Sequence, residues 1–205
     1  MITTSSAAPA ALFSSKNLMP ISSEHETELL EALADSQTAS ECLMTAYDAL
    51  EDTVDALLKA IFHKEDYAVK YVVDPLLTND GPLGNILIRT KLLLGLGSIS
   101  KEVYDDIEVF VTLREWAKIE GDKVSFNDPN VLFELNKVNS ISTIMPLEFD
   151  EEIVSSLSGS TLDMFLARHF QKVRSTIVLA ITDIIQSLGR DNASTLKLYL
   201  FSLSK

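Results

Sequence analysis

One apolar stripe restricts the fold of this chain more than any other feature of the sequence. Apolar residues recur at intervals of three or four positions, at Ala39, Leu43, Ala46, Leu50, Val54, Leu57 and Ile61. This spacing predicts a single helix of about seven turns with one continuous apolar face. Either other helices of the same chain or a second copy must cover such a face, so the sequence leaves a homodimer open.

Several further segments carry the start signals of helices. Ser23 begins a short predicted helix, and Glu26 completes a capping box with it. Ser100 is the predicted N-cap of a helix whose apolar pattern reaches Ala117. The run Asn127-Asp128-Pro129 places an N-cap before a proline at the first helical position. Because no segment sustains an alternation of polar and apolar residues, we predict an all-α, single-domain bundle of six to nine helices.

The chain divides into three predicted parts. Residues 1–22 are rich in Ser, Thr and Ala, and we expect them to form a flexible N-terminal tail. Residues 23–189 form the helical domain, whose last long helix begins at Ser160 and ends at Gly189, a predicted C-cap. Residues 190–205 are too apolar for a free tail, so we expect this C-terminal extension to dock on its own domain or on a partner subunit.

The charge of the chain is strongly negative and unevenly distributed. Thirty acidic and 17 basic residues give a net charge of −13, which argues against a free-standing nucleic-acid binder. Residues 17–58 hold ten carboxylates and no Lys or Arg, whereas residues 166–205 hold six basic residues and two acidic ones. Two interpretations stay open: the acidic and basic regions pack on each other, or both are solvated surfaces.

The residues that carry enzyme chemistry are sparse. Cys42 is the one cysteine, so the chain cannot form an internal disulfide. The three histidines lack metal-ligand spacing, and no phosphate loop or dinucleotide fingerprint is present. We therefore predict no enzyme, no metal and no cofactor. Because no apolar run approaches the roughly 20 residues that span a bilayer, we expect a cytoplasmic protein.

Residues 64–99 are dense in turn-forming residues. Asp74-Pro75 predicts the start of a helix, and residues 78–82 predict a turn before the next one. Gly84 is expected in the first turn of that next helix, and Gly95 and Gly97 near its end. These glycines predict a tight corner in which helices approach each other closely.

Five short blocks of this region, with one further block downstream, occur together in a known family. They are EDYAVKY at 65–71, PLL at 75–77, GPLG at 81–84, RTKL at 89–92, GLG at 95–97 and VRSTIVL at 173–179. In this order they resemble the bacterial mannitol operon repressor family and its paralogues of unassigned target. The resemblance covers roughly residues 39–188. It implies a helical regulator that lowers expression of the mannitol uptake and dehydrogenase operon, and it implies no enzyme.

The sequence speaks against direct DNA binding through a helix-turn-helix. Residues 87–115 are the best candidate, with a turn at 95–98 that is longer than usual. The second helix, residues 101–115, carries five acidic and two basic residues, a net charge of −3 that phosphates would repel. We predict neither a winged helix nor a typical helix-turn-helix. A basic patch assembled in three dimensions would bind DNA weakly and with a steep salt dependence.

Binding of a protein partner is the favoured mechanism, because an acidic helical surface suits a basic transcription factor. A sugar-phosphate sensor is the other alternative, with Tyr67, Lys70, Tyr71 and Arg89 as ligands, although the two tyrosines also suit a core. Arg89 and Arg174 have apolar neighbours and are expected to form ion pairs with Asp66, Asp74, Asp80 or Asp106. The candidate partner- or ligand-binding residues are Asp66, Tyr67, Lys70, Tyr71, Arg89, Lys91, Arg114, Arg168, Lys172 and Arg174.

Overall fold

A computed structural model of the chain describes residues 23–62, 71–72, 74–78 and 80–203. Only the backbone is described for residues 23–26, 28, 60, 62, 144 and 191–203. Within these ranges the regular structure is entirely helical, as predicted, and no helix has both the length and the apolar composition that crossing a membrane requires. The nine α-helices described are α1 (Ser23–Asp35), α2 (Ala39–Phe62), α3 (Asp74–Leu77), α4 (Ile86–Gly95), α5 (Lys101–Glu120), α6 (Pro129–Leu135), α7 (Asn139–Ile144), α8 (Glu151–Ser156) and α9 (Gly159–Leu203).

Helices α2 and α5 form the centre of the fold and run antiparallel. Ser40 at the start of α2 donates a hydrogen bond from its Oγ to the carbonyl oxygen of Ala117 near the end of α5, at 3.2 Å. Further along α2, the Tyr47 ring lies against Arg114, which is earlier in α5. The fully buried residues of α5 include Ile107, Phe110 and Leu113. Each such side chain contributes about 1.5–3 kcal/mol by leaving water, so this seam is a main source of stability.

Helix α9 completes the cover of the central pair. It contacts α1, α2, α5 and α7, and its buried stripe includes Val173, Ile177, Ile181, Ile184 and Leu188. The predicted stripe of α2 is therefore an internal seam, covered by helices of the same chain rather than by a second copy. The acidic N-terminal region does pack on the basic C-terminal helix, through these apolar residues.

Helix α9 does not end at Gly189 as the sequence predicted. The described residues with a positive φ are Gly97, Gly121 and Gly159, so Gly189 does not take the left-handed conformation of a C-cap. The helix continues to Leu203. A glycine inside a helix costs only about 1 kcal/mol relative to alanine, and the good helix formers after it, such as Ala193 and Leu196, outweigh that loss. The predicted tail, residues 1–22, lies outside the described residues.

The corner between α3 and α4 is tight for a different reason than the sequence suggested. Gly84 lies before α4, and Asn85 is the N-cap, accepting a hydrogen bond from the Leu87 amide at 2.8 Å. A Cβ on Gly81 would lie 2.5 Å from the carbonyl oxygen of Leu76, so the close approach requires glycine there. Gly95 and Gly97 have open space around them, so the expected close helix contact at these two residues is wrong.

Gly97 terminates α4 through its backbone conformation. Its φ is 69°, its amide donates to the Leu94 carbonyl at 3.0 Å, and the Ser98 amide donates to the Leu93 carbonyl at 2.9 Å. This is the hydrogen-bond pattern of a helix C-terminus that requires a left-handed residue.

We expect Gly97→Ala to lower the free energy of unfolding by about 1 kcal/mol, because alanine resists a positive φ. Gly95→Ala is the matched control: it lies inside the helix with nothing near its Cβ, and it should be neutral or slightly stabilising. Urea unfolding of both variants measures the difference. Equal stabilities of the two variants would contradict this role of Gly97.

Candidate protein-binding surface

Arg89 on α4 is the most densely hydrogen-bonded side chain of the corner. It is 2% exposed, and its Nη2 donates to the carbonyl oxygens of Leu77 at 3.0 Å and Gly84 at 2.9 Å, while Nε donates to Leu83. Its Nη1 pairs with the carboxylate of Asp55 on α2 and lies 3.3 Å from that of Glu51. A planar guanidinium with five donors can serve this many acceptors at once.

This network, which we call the Arg89 clamp, connects three of the sequence blocks to the central helix. The carbonyls belong to the PLL block at 75–77 and the GPLG block at 81–84, and Arg89 itself opens the RTKL block. The expected partners Asp74, Asp80 and Asp106 were wrong, because Arg89 pairs with Asp55 and Glu51, and Asp66 lies outside the described residues. Because its donors are occupied inside the protein, Arg89 is a structural residue and has no exposed surface for a ligand.

Arg114 organises the neighbouring surface between α2 and α5. Its Cζ lies 4.5 Å from the centroid of the Tyr47 ring, which is a cation–π contact, and its Nη1 donates to Glu115 at 2.6 Å. Carboxylates near Arg114, together with others next to them on α2, form what we call the acidic surface, which consists of Asp48, Glu51, Asp52, Asp55 and Glu115. All five are exposed or half-buried. Arg114 faces Asp48, Glu51 and Glu115 from α5, and Glu51 and Asp55 also pair with Arg89.

The electrostatics of the acidic surface favour a cationic partner. Partial burial raises the pKa of Asp48, Arg114 opposes that rise, and Asp52 adds to it. Burial likewise raises the pKa of Tyr47, and Glu51 adds to the rise. Additional positive charge from outside would stabilise the ionised carboxylates and lower their pKa. The surface is therefore suited to basic side chains and not to phosphates.

The three candidate residues of α9 lie along one part of that helix. Arg168 and Lys172 are exposed and one turn apart, and the Lys172 Nζ lies 3.4 Å from the carbonyl oxygen of Pro146. Arg174 donates from Nη1 to the carbonyl oxygen of Ala34 at 3.0 Å. The ion pair expected for Arg174 was wrong, since its described partner is a backbone carbonyl at the end of α1.

The remaining candidates do not form a described cluster. Lys91 is exposed on α4, and Tyr71 is 60% exposed, so Tyr71 is not a core residue. Asp66, Tyr67 and Lys70 lie outside the described residues. Two of the four residues of the sugar-phosphate set are therefore not described, and its one arginine is held in the Arg89 clamp.

The helix that sequence alone would assign to DNA recognition is the central one. Helix α5 contacts α2, α4, α6 and α9, and its buried residues lie on more than one side. The residues of α5 that remain exposed include Glu102, Glu108 and Glu115, so the face that it could offer to a major groove is acidic and phosphates would repel it. Within the residues that the structure describes, α5 therefore lacks the properties of a typical recognition helix, in line with the prediction.

Two carboxylates expected to pair with arginine have other partners. Asp74 lies 3.3 Å from the Lys59 Nζ. Asp106 is 5% exposed, and its Oδ1 accepts hydrogen bonds from the backbone amide of Asn139 at 2.9 Å and from the Asn139 Nδ2 at 3.0 Å. Asp106 therefore satisfies the first amide of α7 from within α5.

Asp106 gives a prediction about the pH dependence of stability. Burial raises its pKa above 3.8, and the hydrogen bonds from Asn139 only partly oppose that rise. The fold therefore favours the protonated form, so the contribution of Asp106 to stability is greatest in acid and is lost as the pH rises through its folded pKa. We expect Asp106→Asn, whose Oδ1 can accept both bonds without charge, to be at least as stable as wild type at neutral pH.

The test is thermal unfolding at acid and neutral pH, with Asp106→Ala as the control. Alanine removes both acceptor contacts and should cost about 1–3 kcal/mol at either pH. The advantage of the asparagine variant over wild type should grow as the pH rises. A loss of stability in Asp106→Asn that equals the loss in Asp106→Ala would contradict this account.

Cys42 is buried on α2 and is not suited to act as a nucleophile. Burial raises the pKa of its thiol to about 11, Arg174 opposes this rise, and Glu41 adds to it. At neutral pH the side chain is a protonated thiol that packs as a small apolar group.

The sequence did not identify the α2 residues that complete the acidic surface and its seam. Glu51, Asp55 and Tyr47 were not among the candidates, although all three lie on α2 between positions of the predicted apolar stripe. A buried arginine requires carboxylate partners, and the ten acidic residues of 17–58 were candidates for that role. The sequence could not show that α4 contacts α2. This contact determines that Glu51 and Asp55 are the carboxylates that pair with Arg89.

Comparisons with known proteins show which family the chain resembles. The sequence model of the mannitol repressor family (MtlR) matches residues 25–189. The mannitol operon repressor of Escherichia coli K12 is 37% identical over 168 residues, 82% of this chain and 84% of that protein. A structure described as the MtlR–HPr complex from Escherichia coli has a TM-score of 0.67 at 36% identity, over 80% of this chain and 98% of that one. Fumarase E of Escherichia coli K12 is 24% identical over 165 residues, 80% of this chain and 96% of that protein.

The fold defines the class: within the described residues, the chain is an all-helical protein without strands. The exposed face of the candidate recognition helix is acidic, and an acidic surface lies between α2 and α5. The chain belongs to the mannitol repressor family.

Proposed function

We propose that this protein represses the mannitol utilisation operon by binding another protein, and that HPr is that partner. The observation that carries the proposal is the acidic surface between α2 and α5, together with the acidic exposed face of the candidate recognition helix. The related structure that contains HPr supports the choice of partner over the transcription factor expected from charge alone. We place the protein in the cytoplasm, where a transcriptional regulator of this kind acts.

The acidic surface supports this mechanism through its charge and its rigidity. Asp48 and Asp52 are exposed on one face of α2, while Arg114 and Tyr47 fix the seam beneath them. Complementary charge across an interface speeds association and disfavours partners of the same sign. A basic protein surface would therefore be attracted, and a DNA backbone would be repelled.

Direct DNA binding is the alternative for which exposed candidate residues lie in the described part of the chain. It would use Arg168 and Lys172, the exposed basic pair of α9. Two contacts to phosphate give a small counterion release, so such binding would be weak and would not select a sequence. Arg89 contributes nothing to it, because its donors are occupied in the Arg89 clamp.

The decisive experiment compares the two partners in one buffer. The purified chain is titrated with HPr of its own organism and separately with the control region of the mannitol operon, at roughly physiological salt. We expect saturable binding of HPr, and no difference between the control region and a scrambled duplex of equal length. Tight, sequence-selective DNA binding by the chain alone, without HPr binding, would overturn the proposal.

The relative named a fumarase makes an enzymatic alternative testable on the same preparation. We propose that the chain is not an enzyme, and the buried, protonated Cys42 offers no thiolate nucleophile. Fumarate and malate are each incubated with the protein, and the absorbance of the fumarate double bond is followed. We expect no turnover above a buffer blank, and sustained turnover that copurifies with the chain would show this part of the proposal to be wrong.

A further inference from the structure

The buried stripe of α9 becomes mostly polar towards the end of the helix. In the domain, the buried stripe of α9 includes Ile181, Ile184 and Leu188. Continued from Ile181, Ile185 and Leu188 at the same three- and four-residue spacing, this stripe would occupy positions 192, 195, 199 and 202, which are Asn, Thr, Tyr and Ser. A mostly polar continuation is a poor match for docking on the apolar core of its own domain.

A second stripe on α9 shows the opposite trend. It starts at Leu179, which is 59% exposed, and follows spacings of three and four without interruption to the end of the helix. Its positions are Leu179, Thr182, Gln186, Gly189, Ala193, Leu196, Leu200 and Leu203. This is the spacing of a two-helix seam, and it becomes leucine-rich about two turns after the last described buried residue, Leu188.

The first part of this stripe lines a groove on the domain. The groove has a volume of about 410 Å³ and lies between α7 and α9. Ile141 and Met145 line it from the side of α7, and Leu179, Thr182 and Gln186 line it from α9. The groove and the leucine-rich segment therefore share one continuous helix face, and the groove has an apolar floor that suits leucine side chains.

We propose that two copies of the chain associate through this face, with their α9 helices antiparallel. The leucines of one copy then occupy the groove of the other, since Leu179 aligns with Leu203, Thr182 with Leu200 and Gln186 with Leu196. The same alignment places Gly189 against Ala193 at the centre, where small residues let two helices approach closely. Because a two-fold axis relates the two copies, each of these contacts occurs twice in the dimer.

Charge selects the antiparallel orientation. Asp183 lines the groove next to the stripe and is exposed, with Arg190 of the same chain 3.8 Å away. Lys197 occupies the equivalent position two heptads later. In the antiparallel pair, Asp183 of one copy lies opposite Lys197 of the other, twice per dimer, and these two attractive pairs outnumber the one repulsion, which is between the two Arg190 residues near the axis. A parallel pair offers no such match of opposite charge.

The main test measures the mass of the full chain by light scattering over a range of concentrations. We expect a dimer, and we expect Leu200→Glu to raise the dimer dissociation constant at least about a hundredfold. Leu198→Glu is the matched control, because it makes the same change on the opposite side of the helix and should leave the dimer intact. Leu179→Glu, within the domain, should weaken the dimer as Leu200→Glu does.

The outcomes separate the proposal from its competitors. A wild-type chain that stays monomeric at every concentration would overturn it, as would equal effects of Leu198→Glu and Leu200→Glu. Circular dichroism melting of each variant confirms that the domain remains folded. For orientation, Gln186→Cys and Leu196→Cys chains are mixed, equilibrated and oxidised, and we expect the mixed disulfide dimer. Efficient cross-linking of Leu196→Cys to itself would overturn the antiparallel arrangement.

Discussion

Replacing Arg89 by methionine is expected to lower the free energy of unfolding by about 3–5 kcal/mol. Methionine keeps most of the apolar stem but removes all the donors of the Arg89 clamp. The carbonyl oxygens of Leu77, Leu83 and Gly84 would then lose their partner in a place where water has little access. Asp55 and Glu51 are about a quarter exposed and would recover part of their hydration, so the carbonyls dominate the loss.

Two further variants isolate the geometry of the clamp from its charge. Arg89→Lys keeps the charge, but an ammonium group cannot span carbonyls and carboxylates on several sides, so we expect it to recover only part of the stability. Lys91→Met is the control, since Lys91 is exposed two residues further along α4 and should change stability by no more than about 0.5 kcal/mol. Urea unfolding followed by circular dichroism measures all three. Equal stability of Arg89→Met and Lys91→Met would refute the clamp.

The elements that depend on local sequence were predictable. Ser100 and Asp128 cap α5 and α6 as their positions predicted, and α2 matches its apolar stripe over the predicted length. These features follow from hydrogen bonds within one turn and from a period of 3.6 residues, both of which the sequence displays directly.

The predictions that were wrong concern features that depend on contacts between residues distant in the sequence. The carboxylates of the Arg89 clamp lie 34 and 38 residues away along the chain, and nothing near Arg89 in sequence points to them. The C-cap predicted at Gly189 was wrong for a different reason. The local signal for a helix end is present, but the left-handed conformation it needs is absent, because helix formers follow on both faces of α9.

The candidate site shows the same division. Charge patterning along the sequence was sufficient to predict an acidic surface and to disfavour a DNA-reading helix. It could not select which of the ten N-terminal carboxylates converge, because that selection depends on α5 and α4 packing against α2. Arg114 was among the candidates, but its role as the cation that faces Tyr47 and the acidic surface required the structure.

Reversing charge on the acidic surface should have the largest effect on partner binding. We expect Asp48→Lys combined with Asp52→Lys to raise the dissociation constant for HPr about ten- to a hundredfold. Both side chains are exposed and lie outside the Arg89 clamp, so the fold should persist. Calorimetric titration at two salt concentrations should also show a weaker salt dependence than wild type, because the attraction that salt screens has been removed.

A matched double variant separates the surface from the overall charge. Glu31→Lys with Asp35→Lys changes two exposed acidic residues at the same spacing on α1, and so alters the net charge of the chain by the same amount. If attraction by net charge alone governed binding, both double variants would weaken it equally. If the partner docks on the surface between α2 and α5, the α1 variant stays within about threefold of wild type. Binding that survives the α2 reversal unchanged would rule out this surface as the docking site, because opposite charges at an interface cannot be exchanged for like charges without loss.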